Sequence, residues 1–465
     1  MAFASQSYPY FFSSVPTGWV FHRRGTSNLH RYCRFRSLRH GMSKCRAPIS
    51  QDKWHSQNTV KILYLCQRLP FPPDRGDRIV TFNQIRHLCK KHQVTVGCLN
   101  HEDMFTAAKT INNEFDVKWV APDHSLWPKT FGMAACLLAR KPLTLGYFNN
   151  KDLHARITDL IDNDPPDLVI VFSSSMAQYV TEIESIPRIM HFCDLDSQKW
   201  KDLAERCKGI TRWIYDREGR LLLEYERRIA AEFSACCVVT EHEAELFRRI
   251  IPGIPVHILE NGVDTDYFSA FPRQPEEQTL LFVGVMDYAP NVEAVTYFTK
   301  TIWPTVTSAR PNARFRIVGS RPAKAVRKLA KIRGIEVTGY VADIRPYLCS
   351  STMLVAPLEI ARGIQNKILE AMASGLPVLT TPAVAKGLPQ GAESQVFVEE
   401  REPSRFASAV LELIDNPGLR EQRSASARDY IQRYCTWELK LQALDELLDK
   451  VVADGRKRRH HANAG

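Results

Sequence analysis

Residues 353–381, MLVAPLEIARGIQNKILEAMASGLPVLTT, limit what this chain can fold into more than any other stretch. An apolar run from Met353 to Leu358 passes through a short polar loop into a helical segment that stops at Gly375 and Pro377. A second apolar run, Val378 to Thr381, follows. Parallel neighbouring strands need a crossover of about a dozen residues or more, so the pattern reads as a right-handed βαβ unit. Its loop and first turn carry Arg362, Gly363 and Lys367, with Glu370 one turn further in. Gly363, Lys367 and Glu370 are spaced i, i+4 and i+7 and so share a helix face. Helical side chains lean toward the N-terminus, where free N–H groups and partial positive charge suit a phosphate. Two cations, an amide nest and a carboxylate behind them fit a nucleotide, with diphosphate on the nest and ribose hydroxyls on Glu370. From spacing alone, a buried helix carrying a Lys367–Glu370 surface pair fits equally well.

The unit belongs to a longer alternation. In the first half, VKILYLC (60–66) ends at the Pro-rich loop RLPFPPDRGDR, and a helix over 79–90 and a strand over 93–100 follow. DLVIVF (167–172), RIMHFC (188–193), an amphipathic helix over about 210–233, ACCVVT (235–240) and the helix EHEAELFRRI come next. The second half runs TLLFVGV (279–285), helix 291–302, RFRIVGS (314–320), helix 322–333, EVTGYV (336–341), the βαβ unit, QVFVE (395–399), helix 404–415 and a last helix over about 436–452. Strands alternating with helices build parallel sheets covered on both faces. The predicted architecture is α/β: two doubly wound Rossmann-like domains whose strand ends face a central cleft. Predicted boundaries are a basic extension over 1–58, domains over 59–255 and 256–435, and a closing helix with a basic tail over 436–465. The hinge is expected near IPGIPVH (252–258). Neither half has G-x-G-x-x-G after its first strand, which argues against a dinucleotide oxidoreductase.

A formal charge of +11 suggests nucleic acid until it is located. Residues 1–51 hold eight basic residues and no acid, and Arg456–Arg459 add four. Taking those twelve from the 62 basic residues leaves 50 against 51 acidic ones, so the body lacks the surplus of a nucleic-acid binder. Twelve cysteines are scattered without C-x-x-C spacing, and the adjacent Cys236 and Cys237 suit neither zinc nor a disulfide framework. A reducing, cytoplasmic setting is expected. No run approaches eighteen apolar residues, so no span is predicted. The acid-free start reads as disordered, as a transit peptide, or as an upstream start with Met42 the true beginning. The Arg456–His461 tail is either solvated or touches anionic lipid on the inner membrane face.

The string G-x-x-x-K-x-L-E-A-M-A-x-G-x-P-V over 363–378 strongly resembles the donor segment of retaining GT-B glycosyltransferases, the large family 4 group. PLEIARGIQNKILEAMA is most similar to sugar transferases of bacterial exopolysaccharide and exosortase loci. The resemblance covers roughly 60–445 and implies an acceptor on the first domain, a nucleotide sugar on the second, and a final helix crossing back onto the first. It makes Glu370 the ribose ligand. The family's E-x7-E pattern places a sugar-contacting Glu where this chain has Arg362, and the nearest carboxylate is Glu359, which leaves the donor sugar open. VGVMDYAPN brings Gly284 and Asp287 toward the diphosphate, in a loop where the family often has Arg or Lys. Arg362 and Lys367 are therefore expected to carry the phosphate charge. TGYVAD resembles the base-reading segment, with Gly339 allowing close approach and Tyr340 or Val341 covering the ring. Ile364 joins the donor-binding set.

In the first half, Gly76 of PPDRGDR matches the family's glycine loop, with Arg75 beside it on the acceptor side. HFCDLDSQKW places His191, Asp194 and Asp196 on that side too. Asp194 or His191 orients the acceptor hydroxyl in this reading, against a buried bonded histidine and a helix-capping aspartate. Asp194-x-Asp196 also matches the metal-binding D-x-D of the unrelated GT-A transferases, but the second α/β half favours GT-B and no metal. The expected activity is metal-free, cofactor-free transfer of a hexosyl group from a nucleoside-diphosphate sugar to a glycan or lipid-linked acceptor, with retention and with no enzyme nucleophile assigned. Lys367, Arg362 and the helix N-terminus would stabilise the leaving diphosphate. A metal-dependent transferase, a non-catalytic sugar-nucleotide binder and a nucleotide-sugar epimerase remain as alternatives.

Overall fold

The computed structural model describes residues 59–99, 111, 115–123, 126–361 and 363–463. The predicted extension 1–58 and Arg362 lie outside the described residues. The first sheet is β1 (Lys61–Cys66), β2 (Gln93–Cys98), β3 (Lys118–Val120), β4 (Leu168–Phe172), β5 (Arg188–Cys193), β6 (Ala235–Val238) and β7 (Val256–Ile258), in the order β3-β2-β1-β4-β5-β6-β7. The second is β8 (Thr279–Val283), β9 (Arg314–Val318), β10 (Ile335–Gly339), β11 (Met353–Ala356), β12 (Val378–Thr380) and β13 (Phe397–Val398), in the order β10-β9-β8-β11-β12-β13. Every pairing is parallel. Both sheets reverse winding beside their first strand, at β1/β4 and at β8/β11. The carboxyl ends of the strands open into a crevice at each reversal.

Period-two alternation accounts for both faces being buried. Ile62, Tyr64 and Cys66 of β1 enter one core layer, and Leu63 and Leu65 enter the layer on the opposite face. In β6, Cys237 points to the first layer and Cys236 to the second, so these neighbours sit on opposite faces of one strand. The second domain has its own core around Phe282, Phe298, Phe315 and Phe406.

The crossover between domains falls later than the sequence pattern placed it. β7 pairs with β6 as the edge of the first sheet, so Val256–Ile258 belong to the first domain. The chain leaves that sheet through Asn261–Gly262–Val263. Val263 N–H donates to the Cys435 carbonyl at 2.8 Å, next to the return crossing. A Cβ on Gly262 would lie 2.5 Å from the Trp437 backbone, so the two crossing segments touch only because this residue has no side chain. After the return, a short turn of helix (Trp437–Lys440) leads into the helix Gln442–Asn463. Leu444, Leu447, Leu448, Val451 and Val452 form its apolar stripe, packed into the first layer of the first domain. Asp445 accepts from His87 and Lys91, both at 2.8 Å. The final helix therefore packs into the core of the first domain. Among the described residues no helix is long and apolar enough to cross a membrane.

Candidate active site

The strand ends of the two sheets face each other across a cleft of about 570 Å³. On the second-domain side, the helix Asn366–Ala373 follows β11 at the switch point, and its N-cap residue Gln365 makes no side-chain cap hydrogen bond. Lys367 and Glu370 line the cleft from this helix. Lys367 Nζ donates to Asn291 Oδ1 at 2.7 Å and lies 4.5 Å from the Phe282 ring centroid. Asn291 is fixed in turn by donating to the Val285 carbonyl at 3.0 Å. A Cβ on Gly284 would fall 2.6 Å from Asn291 Nδ2 and 3.2 Å from Lys367 Nζ, so this glycine makes room for the ammonium.

Burial disfavours charge on both site residues. It pulls Lys367 down to about 7, with Glu370 opposing the shift. It pushes Glu370 up to about 7, with Lys367 opposing that one. An anion placed beside Lys367 would restore its charged form.

The helix starts later than the spacing predicted. Gly363 is not on it. Gly363 precedes Asn366 with φ +62, a left-handed conformation that cannot continue into a right-handed helix, so it shares no helix face with Lys367 and Glu370. It still lines the cleft together with Ile364, and a Cβ on it would meet Val239 of the first domain at 3.5 Å. Glu359 points elsewhere. It accepts from Arg401 at 3.2 Å, lies 3.7 Å from Arg206, and is not among the residues lining the cleft.

The loops after β8, β9 and β10 form the next part of the wall. A Cβ on Gly319 would lie 1.7 Å from the Gly284 carbonyl oxygen, and Met286 N–H donates to the Ser320 carbonyl at 2.8 Å. The first two loops are thereby locked together. Asp287 pairs with Arg321 Nε at 3.1 Å, and both line the cleft. Gly339 takes φ +74 with open space where a Cβ would point. Tyr340, 69% exposed, Val341 and Ile344 line the cleft beside Tyr267 and Phe268. This is an apolar, aromatic shelf next to backbone that a flat ring can approach.

Across the cleft, Arg75 occupies the N-cap position of the helix Gly76–Leu88 without a side-chain cap bond, and Gly76 presents no side chain. Asp77 accepts from Arg68 at 2.8 Å and pairs with Arg75 at 3.3 Å. Burial pushes its carboxyl up, but Arg68, Arg75 and Arg78 outweigh burial and bring it down to about 2. Asp194 and Asp196 both line the cleft and share Lys199, whose Nζ is 2.5 Å from one and 3.1 Å from the other. Asp196 also accepts from Ser174 Oγ at 3.1 Å.

His191 is the clearest departure from the predicted site. It lies inside β5, fully buried, with Nδ1 3.3 Å from Gln84 Nε2 and its ring edge-on to Phe172. Burial pulls it down to about 3, so it is neutral at physiological pH, and it does not line the cleft. The period-two register that fills the strand also points this side chain into the core.

Lys367, Glu370, Gly284, Asp287, Tyr340, Val341, Gly363, Ile364, Arg75, Gly76, Asp194 and Asp196 thus converge on one cleft, while Gly339 sits just before Tyr340 in the chain and is not among the lining residues. The sequence pattern passed over Asn291 as a partner, Lys199, Gly319 and Arg321. Arg321 directly follows the strand RFRIVGS, and a basic residue at a strand's carboxyl end was the available signal. Among the described residues, no three side chains of metal-binding type come together.

Comparison with known proteins bears on the fold. Residues 277–416 match the family described as Glycosyl transferases group 1. A GDP-mannose-dependent monoacylated alpha-(1-6)-phosphatidylinositol monomannoside mannosyltransferase of Corynebacterium glutamicum is 22% identical over 244 residues, covering 48% of this chain. The aligned region spans 64% of that relative's length. Among solved structures, sucrose-phosphate synthase from Thermosynechococcus elongatus superposes with a TM-score of 0.64 at 13% identity, covering 84% of this chain and 99% of the other. HepE of Anabaena, solved in complex with UDP and glucose, superposes with a TM-score of 0.60 at 12% identity, covering 84% and 100%. The fold is that of the GT-B glycosyltransferases, and the second domain carries the group 1 glycosyl transferase match.

Proposed function

We propose that this protein is a glycosyltransferase that moves a hexosyl group from a nucleoside-diphosphate sugar to a hydroxyl of a glycan or lipid-linked acceptor, with retention at the anomeric carbon. One observation carries the reading. Lys367 and Glu370 stand at the switch point of the second sheet, on the first turns of the helix Asn366–Ala373, facing the Gly76 loop of the first domain. A diphosphate at the helix N-terminus beside Lys367 places the ribose within reach of Glu370 and the base on the Tyr340–Val341 shelf. As the glycosidic bond breaks, the electron pair goes to the diphosphate, and the Lys367 ammonium and helix amides stabilise that charge. The acceptor hydroxyl enters from the first-domain wall, where Asp194 and Asp196 are available to orient it. Its proton leaves to a phosphate oxygen, in line with the family resemblance, which assigns no enzyme nucleophile. The relative's use of GDP-mannose and the UDP bound to HepE support a nucleotide-sugar donor. A role in exopolysaccharide or cell-envelope glycan synthesis follows from the PLEIARGIQNKILEAMA resemblance.

Thermal denaturation of the purified chain with a panel of UDP- and GDP-sugars tests the reading. Stabilisation by one base series, lost in Glu370→Ala, is the expected result. Lack of response to every nucleotide sugar would remove it. NMR of the product from an α-linked donor should show an α-linkage, and a β-linked product would overturn retention.

A further inference from the structure

Resting on that reading, the loops of the cleft show how the donor's charge is held in a chain that lacks the expected cations after β8. Arg321, at the carboxyl end of β9, is a non-glycine residue at φ +53. Such strain persists only where the surroundings enforce it, and it concentrates at functional sites. Here the enforcement is visible. Gly319 is pressed against the Gly284 carbonyl, and Ala323 N–H donates to the Met286 carbonyl at 3.0 Å. The strained residue therefore projects its guanidinium into the cleft from a rigid mount. There it meets Asp287 at 3.1 Å. From the other domain, Arg75 lines the same cleft, and its charge acts on both Asp287 and Arg321. The two arginines, carried by separate domains, repel one another, with Asp77 paired to Arg75 and Asp287 paired to Arg321.

We propose that Arg321 and Arg75 form an inter-domain clamp on the donor's diphosphate, with Asp287 as a built-in competitor that occupies the clamp in the donor's place. A diphosphate carries more negative charge than one carboxylate and accepts the planar guanidinium fork at two oxygens, so it displaces Asp287 from Arg321. Arg321 thereby takes over the phosphate charge that the family assigns to the loop after β8. Because Arg75 comes from the facing domain, the same exchange draws the two domains together over the donor.

The competitor role makes a prediction of unusual sign. Removing a cleft carboxylate should tighten ligand binding. Titration calorimetry on the full chain with inorganic pyrophosphate, UDP and GDP, and with uridine and guanosine as uncharged controls, reads it directly. Asp287→Asn should tighten pyrophosphate and the diphosphates about fivefold, the scale of one partly exposed ion pair. Arg321→Ala and Arg75→Ala should each weaken them about tenfold or more and flatten their salt dependence, leaving the nucleosides unchanged. Arg321→Lys, which keeps the charge and loses the fork, should fall between wild type and Arg321→Ala, and it serves if the alanine variant does not fold.

Unchanged or weaker diphosphate binding in Asp287→Asn, or equal losses for nucleoside and diphosphate in Arg321→Ala, would overturn the clamp. If wild type binds UDP or GDP and Glu370→Ala loses it while Arg321 and Asp287 variants bind as wild type, the clamp alone fails. If wild type binds none of the diphosphates, the donor reading fails with it.

Discussion

At the residue scale, the site is held in an electrostatically costly state. Lys367 is pulled from its ordinary 10.5 to about 7, so between those values the unfolded chain binds the extra proton and stability rises with pH. Glu370 is pushed from 4.5 to about 7, so between those values the folded chain binds the extra proton and stability falls as pH rises. The two windows meet near neutrality, where the pair costs the fold most. A Lys367→Met, Glu370→Gln double variant should melt above wild type, with the gap largest near pH 7 and closing toward about pH 4 and about pH 10. A gap that does not vary with pH would show that the pair is not desolvated. Lys367→Ala should lower turnover by about 10²–10³, the usual loss for one preorganised donor to a developing anion, with a smaller effect on donor binding. Asp194 and Asp196 are both paired with the Lys199 ammonium. Transfer should therefore proceed undiminished in EDTA, measured against the same reaction with added Mg²⁺ or Mn²⁺.

At the scale of elements, the site depends on loops pressed together without side chains between them. Gly319→Ala would drive a Cβ into the Gly284 carbonyl. Relief requires the loops after β8 and β9 to part, which moves Asn291 away from Lys367. The variant should retain its fold, since the strands themselves are untouched, and lose nearly all nucleotide-sugar stabilisation in a thermal shift assay. The final helix makes a different contribution. Leu448 is about 1% exposed in the first-domain core although it lies far along the chain from β1. Leu448→Ala should destabilise the protein by about 2–5 kcal/mol in chemical denaturation, with the loss falling on the first domain. If the helix were merely draped on the surface, the cost would be a few tenths.

Over the whole molecule, two sheets of the same winding sense face one another at their switch points, and the chain crosses between them twice, at Asn261–Val263 and at Cys435–Trp437. Asn261 Nδ2 donates to Asn366 Oδ1 at 2.9 Å, so the first crossing touches the helix that carries Lys367 and Glu370. Donor binding should therefore be felt at both crossings. Hydrogen exchange of the Val263 amide, which donates to Cys435, should slow on nucleotide addition along with the Gly76 loop, whereas the centres of β1 and β8 should not change.

The alternation of apolar runs and amphipathic helices was legible from residue order because buried parallel strands demand it. The same holds for the placement of Lys367 and Glu370, since a helix fixes the i, i+3 relation wherever it begins. Its start was not legible, because spacing alone does not show that Gly363 takes a left-handed conformation that keeps it off the helix. His191 and Glu359 failed as site residues for a related reason. Their chemistry suits a site, but strand register turned the histidine into the core, and Arg401 and Arg206 drew the glutamate out of the cleft. Arg321 went unseen because its role depends on Asp287 and on Arg75 of the other domain. The sequence by itself determined the two α/β halves and the helix that presents a cation and a carboxylate, since local periodicity and steric rules act within a few turns. Which charges share the cleft, and which are neutralised by neighbours, only the tertiary structure decided, because Coulombic and packing partners are chosen by distance in space.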